Sequence, residues 1–116
     1  MMPEMIEVKD GLLASEDNVI MKARYPELFP ENVRGYFQDK TKVLYRRIEK
    51  GLDKVIVKVN DKRAVFDADL FNYADNVDGR VDYYLSNVPL PGEDGAYYPL
   101  FAKYRYGWLC VSPMEA

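Results

Sequence analysis

Residues 54–66 constrain the fold more than any other stretch of the chain. Two runs rich in β-branched residues, KVIVKV at 54–59 and RAVF at 63–66, flank the short polar segment 60–62. Runs of this composition are typical of β-strands, and a short polar segment between two of them is typical of a hairpin turn. The sequence therefore predicts an antiparallel hairpin at this point.

Strand patterns recur in the rest of the chain, where valines and tyrosines follow turn-forming residues. Prolines and glycines separate these segments, because both residue types interrupt a central strand. The additional strands are predicted within residues 5–13, at 80–88, and at 97–105 and 107–112.

The clearest helix prediction covers residues 39–50, DKTKVLYRRIEK. Val43, Leu44 and Ile48 would share one apolar stripe of this helix. Gly51 follows directly, and glycine is the usual residue in the left-handed position after a helix end. The pattern therefore predicts that the basic centre of the chain is helical.

The predicted elements together indicate an α+β protein: one main helix packed on an antiparallel sheet of roughly four to six strands. A shorter second helix is expected within residues 15–25, where Ser15 suits an N-cap. At 116 residues, the chain is expected to form a single compact domain over residues 1–116.

The amino-acid composition excludes several kinds of catalytic site. The chain contains no histidine, which removes Ser-His-Asp and Cys-His arrangements and the usual zinc sites. The one cysteine, Cys110, lies between Leu109 and Val111 and is expected to be a buried apolar residue. We therefore expect a protein that is not an enzyme and has no catalytic residues, cofactor or bound metal.

Neither a membrane span nor a signal peptide is expected. The apolar runs are only a few residues long, and the N-terminal segment MMPEMIEVKD lacks the basic-then-apolar order of a secretory signal. A single cysteine fits a reducing compartment. We expect a cytoplasmic protein without a membrane partner.

Charge is segregated along a chain whose net charge is −3. Residues 40–63 carry nine bases and three acids, whereas residues 64–95 carry seven acids and one base. The basic segment forms a patch for phosphate or for an acidic partner, or else the two segments neutralise each other across the folded surface. We favour neutralisation, because segregation in sequence is weak support for segregation in space.

The C-terminal segment 97–109, YYPLFAKYRYGWL, contains six aromatic residues among thirteen. In a continuous strand, Tyr104, Tyr106, Trp108 and Cys110 would point to one face and the intervening basic residues to the other. The segment is therefore either one wall of the core or an exposed binding face.

The chain has ten tyrosines. Buried hydroxyl groups need hydrogen-bond partners, and a single core cannot easily supply partners for all ten. In each Tyr-Tyr pair, one ring points away from the core if both residues lie in a strand. Exposed tyrosines suit binding surfaces, since a large, stiff ring ends in a polar tip. The predicted partner-binding residues, including two arginines of the basic segment, are Tyr83, Tyr84, Tyr97, Tyr98, Tyr104, Tyr106, Arg46 and Arg47.

The acidic segment 67–79, DADLFNYADNVDG, raises the question of a metal site. Asp67 and Asp69 would share one face of an extended segment and could hold Mg²⁺ there. The chain has no P-loop, and a calcium loop with Gly79 as its sixth residue would place Ala74 and Leu85 at ligand positions. We favour a polar connection or a short helix between strands.

These features predict a small protein-binding domain that acts by occluding a partner surface. An inhibitor, an immunity-type or antidefence protein, or an accessory protein of an assembly would have this character, and a phage or mobile-element origin fits this compact form. The tyrosines would anchor the partner, and the flanking charges would set register and association rate.

Two alternatives remain open. The first is a small nucleic-acid-binding, nuclease-like or toxin-like protein that uses residues 40–63, with catalysis by Asp67 and Asp69 with a metal, or by Tyr45, Arg46 and Arg47 without one. The sequence pI of about 5.0 disfavours it, because nucleic-acid-binding domains are usually basic. The second is a self-associating virion or assembly subunit.

Overall fold

The computed structural model describes residues 4–8, 11–16, 19–23, 33–77, 79–90, 97–104 and 108–114. Within these ranges the chain forms ten strands, two α-helices and a 3₁₀ turn at Tyr45–Arg47. The strands are β1 (Glu4–Val8), β2 (Gly11–Glu16), β3 (Val19–Ala23), β4 (Lys40–Val43), β5 (Ile48–Lys50), β6 (Lys54–Val59), β7 (Lys62–Asp67), β8 (Asp82–Ser86), β9 (Leu100–Lys103) and β10 (Trp108–Val111), and the helices are α1 (Val33–Phe37) and α2 (Ala68–Asp75).

The strands form two sheets. The larger sheet has seven strands in the order β1-β2-β3-β10-β9-β8-β4, and the smaller has three in the order β5-β6-β7. Strands β10, β9, β8 and β4 are antiparallel neighbours, whereas β3 runs parallel to β10. Two helices packed on largely antiparallel sheets confirm the predicted α+β class.

The predicted hairpin is confirmed as β6 and β7, which pair from Lys54↔Asp67 to Val59↔Lys62. Two residues, Asn60 and Asp61, form the loop, and Asn60 adopts a φ of 54°. Two-residue hairpin loops favour a positive φ at their first position, which asparagine tolerates better than most residues. The local sequence therefore sets both the position and the register of this hairpin.

The helix predicted at residues 39–50 is wrong. This segment forms β4, then the 3₁₀ turn, then β5, so that Lys42 lies opposite Tyr84 and Glu49 lies opposite Ile56. Cross-strand pairing in two different sheets outweighs a helix propensity that is weak in a segment containing several β-branched residues. The helix expected within residues 15–25 is also wrong, because β2 and β3 occupy that part of the chain.

The longer of the two described helices is α2, which lies in the acidic connection between β7 and β8. This outcome is the short helix that we favoured for the segment over a metal-binding loop. Its buried residues are Ala68, Leu70, Phe71 and Ala74. The helix therefore packs one apolar stripe into the interior and leaves Asp69 exposed and Asp75 partly buried.

The main core lies between the inner faces of the two sheets and α2. It contains Phe66 of the smaller sheet, Phe71 of α2, and Leu85 and Leu100 of the larger sheet, all completely buried. Side chains on alternate residues of β6, β8, β9 and β10 reach this core, as the pleat of a β-strand requires. The two sheets and α2 thus share a single interior.

A second apolar layer covers the outer face of β9 and β10 in the larger sheet. Phe101 and Cys110 are buried there beneath rings from α1, β8 and β10, namely Tyr36, Phe37, Tyr84 and Trp108. The ring of Phe37 meets those of Phe101 and Trp108 edge-on, at centroid distances of 5.2 and 4.8 Å. Strands β9 and β10 are therefore covered on both faces. This explains why the alternation of residue types along them does not show which face is exposed to solvent.

One asparagine side chain joins the edge of the larger sheet to the smaller one. The Asn87 carboxamide donates to Asp39 Oδ1 at 2.9 Å and accepts from Thr41 Oγ1 at 3.1 Å and from Lys62 Nζ at 3.0 Å. Thr41 lies in β4, whereas Lys62 opens β7. These hydrogen bonds fix β4 relative to the β6–β7 hairpin.

Gly51 is required for a reason other than the one predicted. A Cβ at this position would lie 2.9 Å from the backbone oxygen of Lys54, which already accepts a hydrogen bond from the Gly51 N–H. Gly51→Ala is therefore expected to lower the free energy of unfolding by about 1–3 kcal/mol, measured by urea denaturation.

Gly79→Ala is the matched control for this substitution, because a Cβ at Gly79 meets nothing within 4 Å. We expect no loss of stability there, and a gain of up to about 1 kcal/mol from a less flexible unfolded chain. Equal stability of the two variants would contradict the close approach at Gly51.

Candidate partner-binding surface

The 3₁₀ turn projects from the molecule between two anchored ends. Val43, at the end of β4, is only 4% exposed, and Ile48, at the start of β5, packs against the main core. Between them, Leu44 is 49% exposed and Tyr45 is 56% exposed. The chain thus presents two large apolar side chains to solvent on a segment whose ends are fixed.

Tyr45 is held in place although it is exposed. Its hydroxyl donates to the carbonyl oxygen of Val81 at 3.4 Å, and its ring meets that of Tyr83 edge-on at 6.1 Å. Partial burial, together with the charges of Asp75 and Asp82, raises the pKa of Tyr45. The side chain is therefore a neutral, positioned ring with one free face.

Arg46 and Arg47 complete the turn, and both are exposed. The Arg47 N–H donates to the Leu44 carbonyl at 2.8 Å, which closes the turn. Within the part of the chain that the structure describes, neither guanidinium forms an ion pair. The segment Leu44–Arg47, here named the exposed turn, therefore combines two apolar contacts with two available cations.

A groove of about 200 Å³ lies beside the exposed turn, between β4 and β6. Cationic side chains come from three elements: Lys42 from β4, Arg47 from the turn and Lys58 from β6. Lys58 Nζ lies 3.0 Å from Glu49 Oε1, so one of the three cations is partly neutralised. We name this feature the basic groove; Thr41, Leu44 and Asn60 also line it.

A wider groove of about 490 Å³ lies at the turn between β5 and β6. Its lining brings the acids Glu49 and Asp53 together with the bases Lys50 and Lys54, and Leu52 at its edge is 98% exposed. Equal numbers of opposite charges give this groove no preference for the sign of a ligand.

Tyr83 and Tyr84 confirm that a Tyr-Tyr pair in a strand sends one ring inward. Tyr83 is 1% exposed, stacks on Phe71 at a centroid distance of 5.0 Å and donates its hydroxyl to Asp75 Oδ1 at 2.7 Å. Its ring therefore belongs to the core and has no surface to offer a partner. Tyr84 is half-buried on the outer face of the larger sheet, 5.4 Å from the ring of Trp108.

The other predicted tyrosines do not gather into one patch. Tyr97 pairs with Leu90 through an isolated bridge, and Tyr98 packs against the main core with Lys62 Nζ 5.9 Å from its ring. Tyr104 is half-buried and donates its hydroxyl to the Ala74 carbonyl at 2.7 Å. Tyr106 lies outside the described residues.

Of the predicted binding residues, the structure brings only Arg46 and Arg47 together on an exposed element that it describes. Leu44, Lys42 and Lys58, which complete this surface, were not predicted. The signal available in the sequence was the tetrad LYRR, which combines apolar, aromatic and guanidinium groups. Its assignment to a helix concealed that all four side chains are exposed.

Lys40 lies against the aromatic rings of the second layer. Its Nζ donates to the Phe37 carbonyl at 2.8 Å and lies 3.6 Å from the centroid of that ring and 5.0 Å from that of Trp108. Burial, and then the charge of Lys103, lowers the pKa of Lys40. This lysine fills the space between the rings, so it stabilises the layer and leaves no open cation site.

The acidic residues and the cysteine were the other candidates for chemistry in the sequence. Among the described residues, no group of three or more Cys, Asp or Glu side chains is placed to hold a metal ion. Asp67 precedes α2 and Asp69 lies in its first turn, where a carboxylate is favoured by the helix dipole. Burial raises the pKa of the Cys110 thiol, which is unreactive in that state.

Comparisons with known proteins give no family assignment. No family model matches the chain, and searches of curated proteins and of solved structures return no similar protein. In the described part of the chain, neither helix has the length and apolar character needed to cross a lipid bilayer.

The bond between Tyr83 and Asp75 gives a prediction for alkaline pH. Burial, followed by the hydrogen bond to Asp75, raises the pKa of Tyr83, so the folded state holds the neutral phenol. An unfolded tyrosine ionises near pH 10. The stability contributed by this phenol is therefore complete below about pH 10 and declines as the pH rises above it.

Tyr83→Phe is expected to lower the free energy of unfolding at pH 7 by about 1.5–3 kcal/mol, because it removes a buried donor to a carboxylate. Above pH 10 the unsubstituted protein should lose up to about 1.4 kcal/mol of stability per pH unit through ionisation of this phenol, and the variant should lack that loss. Urea denaturation at pH 7 and near pH 11 measures both effects. Tyr84→Phe, on the same strand, is the control; an equal loss there would contradict the specific role of Tyr83.

Proposed function

We propose that the chain is a non-enzymatic protein-binding domain that occludes an acidic surface of its partner, with the exposed turn at the centre of the interface. The observation that carries this proposal is the turn itself: half-exposed Leu44 and Tyr45 beside Arg46 and Arg47, between two ends fixed in the core. A stable monomer gains nothing from such exposure, and interfaces are enriched in these residue types.

Tyrosine and arginine are the side chains that most often dominate binding energy when they become desolvated at the centre of an interface. Here the cost of ordering them is reduced, because Tyr45 is already bonded to Val81 and the turn is closed by the Arg47 N–H. Leu44 adds apolar area next to them. The turn is thus a preorganised anchor.

The charge of the partner follows from the surroundings of the turn. Lys42 and Lys58 line the adjacent basic groove with Arg47, although the chain as a whole is acidic. A local positive potential speeds association with an acidic surface and repels basic competitors. We therefore expect the recognised surface to carry an excess of Asp, Glu or phosphorylated residues.

Nucleic acid is the competing partner for the same basic residues, but four basic side chains of residues 40–63 already make contacts within the protein. Lys50 Nζ lies 3.3 Å from Asp75 Oδ2, Lys58 is paired with Glu49, and Lys62 donates to Asn87. Lys40 lies against aromatic rings. What remains is a short cationic patch, whereas binding along a nucleic-acid backbone favours an extended basic track.

Capture of the partner by immobilised full-length protein tests the proposal. Arg46→Ala/Arg47→Ala removes both guanidinium groups of the exposed turn. Lys54→Ala/Lys103→Ala removes two other exposed cations that lie outside the turn and is the matched control. With the captured protein purified, we expect the arginine double variant to raise the Kd at least about tenfold, and the control variant to change it less than about twofold.

Circular dichroism and urea denaturation establish that each variant folds. Equal binding by both double variants would contradict the assignment of the interface to the exposed turn. Capture that disappears after nuclease treatment would replace the protein partner with nucleic acid.

A further inference from the structure

We infer that the basic groove is a binding site for a phosphoryl dianion, carried by a phosphorylated side chain of the partner protein. The inference rests on the proposed function, because it names the group on the partner that the groove beside the exposed turn would receive. The inference names the chemical class of the ligand, whereas the proposed function gives only the sign of the charge on the partner surface.

The convergence of three cations from separate elements is the first observation. Lys42 projects from the terminal strand of the larger sheet, Lys58 from the central strand of the smaller sheet, and Arg47 from the turn that connects the two sheets. These three residues line one groove only because the tertiary fold brings their three elements together. A groove of about 200 Å³ is large enough for one phosphoryl group with some water, and too small for a folded element.

The balance of charge selects a dianion. Lys42, Arg47 and Lys58 supply three positive charges, and Glu49, at 3.0 Å from Lys58, offsets one of them. The remaining charge of about two matches a phosphorylated side chain, which carries about −1.5 to −2 at neutral pH. A single carboxylate would leave the groove positive, whereas the guanidinium of Arg47 can bind two phosphoryl oxygens at once.

A like-charge pair next to the groove is the second observation. Lys58 lies directly opposite Arg63 in the β6–β7 register, and like charges in that position destabilise a sheet. Arg63 does not line the groove, but it adds to the positive potential on Lys58. A bound dianion would offset this repulsion further, beyond the partial offset that Glu49 gives Lys58.

The wider groove at the β5–β6 turn provides an internal comparison. Its volume of about 490 Å³ is larger, yet two acids face two bases there. Size alone therefore does not single out the basic groove; the excess of cations does.

Titration of the isotope-labelled full chain with inorganic phosphate, followed by backbone amide chemical shifts, tests the inference. Sodium chloride at matched ionic strength is the reference. We expect saturable shifts at Thr41, Lys42, Arg47, Lys58 and Asn60 with phosphate alone. Arg47→Ala should weaken phosphate binding about tenfold or more, and Lys54→Ala, which removes a cation outside the groove, less than about twofold.

Shifts that chloride reproduces, or that spread over every basic surface, would overturn the phosphoryl site. So would equal weakening by Arg47→Ala and Lys54→Ala. If Arg47→Ala fails to fold, Lys42→Ala takes its place, with the same expected result.

Two further ligands distinguish the source of the phosphoryl group. O-phosphoserine should bind at least as tightly as inorganic phosphate, and a single-stranded oligonucleotide without a terminal phosphate should bind more weakly. The reverse order would overturn the assignment to a phosphorylated protein.

If Arg46→Ala/Arg47→Ala abolishes partner capture but phosphate does not bind specifically, the proposed function stands and the phosphoryl site is contradicted. Specific phosphate binding without any dependence of capture on those arginines would contradict the proposed function instead.

Discussion

The segment from Lys40 to Lys50 contributes one strand to each of the two sheets, and the rest of the structure depends on that constraint. Val43 ends a strand of the larger sheet and Ile48 begins a strand of the smaller one, and both side chains reach the common core. The four residues between them, Leu44–Arg47, are all exposed, although the ring of Tyr45 meets that of Tyr83 edge-on. Leu44 and Tyr45 are therefore presented to solvent at the point where the two sheets are joined.

The same crossing brings charges together that are distant in sequence. Because only the exposed turn separates β4 from β5, Lys42, Arg47 and Lys58 line one basic groove. The hydrogen bonds of Asn87 to Thr41 and Lys62 keep β4 and the β6–β7 hairpin in this relation. The core contacts thus determine the shape of the surface, and the surface charges determine which partners suit it.

Local sequence predicted the elements whose partners are close along the chain. The hairpin of β6 and β7 and the split of Tyr83 and Tyr84 between two faces follow from the period-two pattern. The segment 39–50 was mispredicted, because its pairing partners are Tyr84 and Ile56 in different sheets, which local propensity does not report. The basic groove was not predictable for the same reason, although Arg46 and Arg47 were predicted to be binding residues.

The conformation of residues 40–50 in solution is the most direct test of this structure and of the surface built on it. Nuclear magnetic resonance should give extended carbon shifts for 40–43 and 48–50, with cross-strand contacts from Lys42 to Tyr84 and from Glu49 to Ile56. Helical shifts through 39–50, with contacts between residues three apart, would contradict the crossing between sheets. The exposed turn and the basic groove would then not exist in the form described.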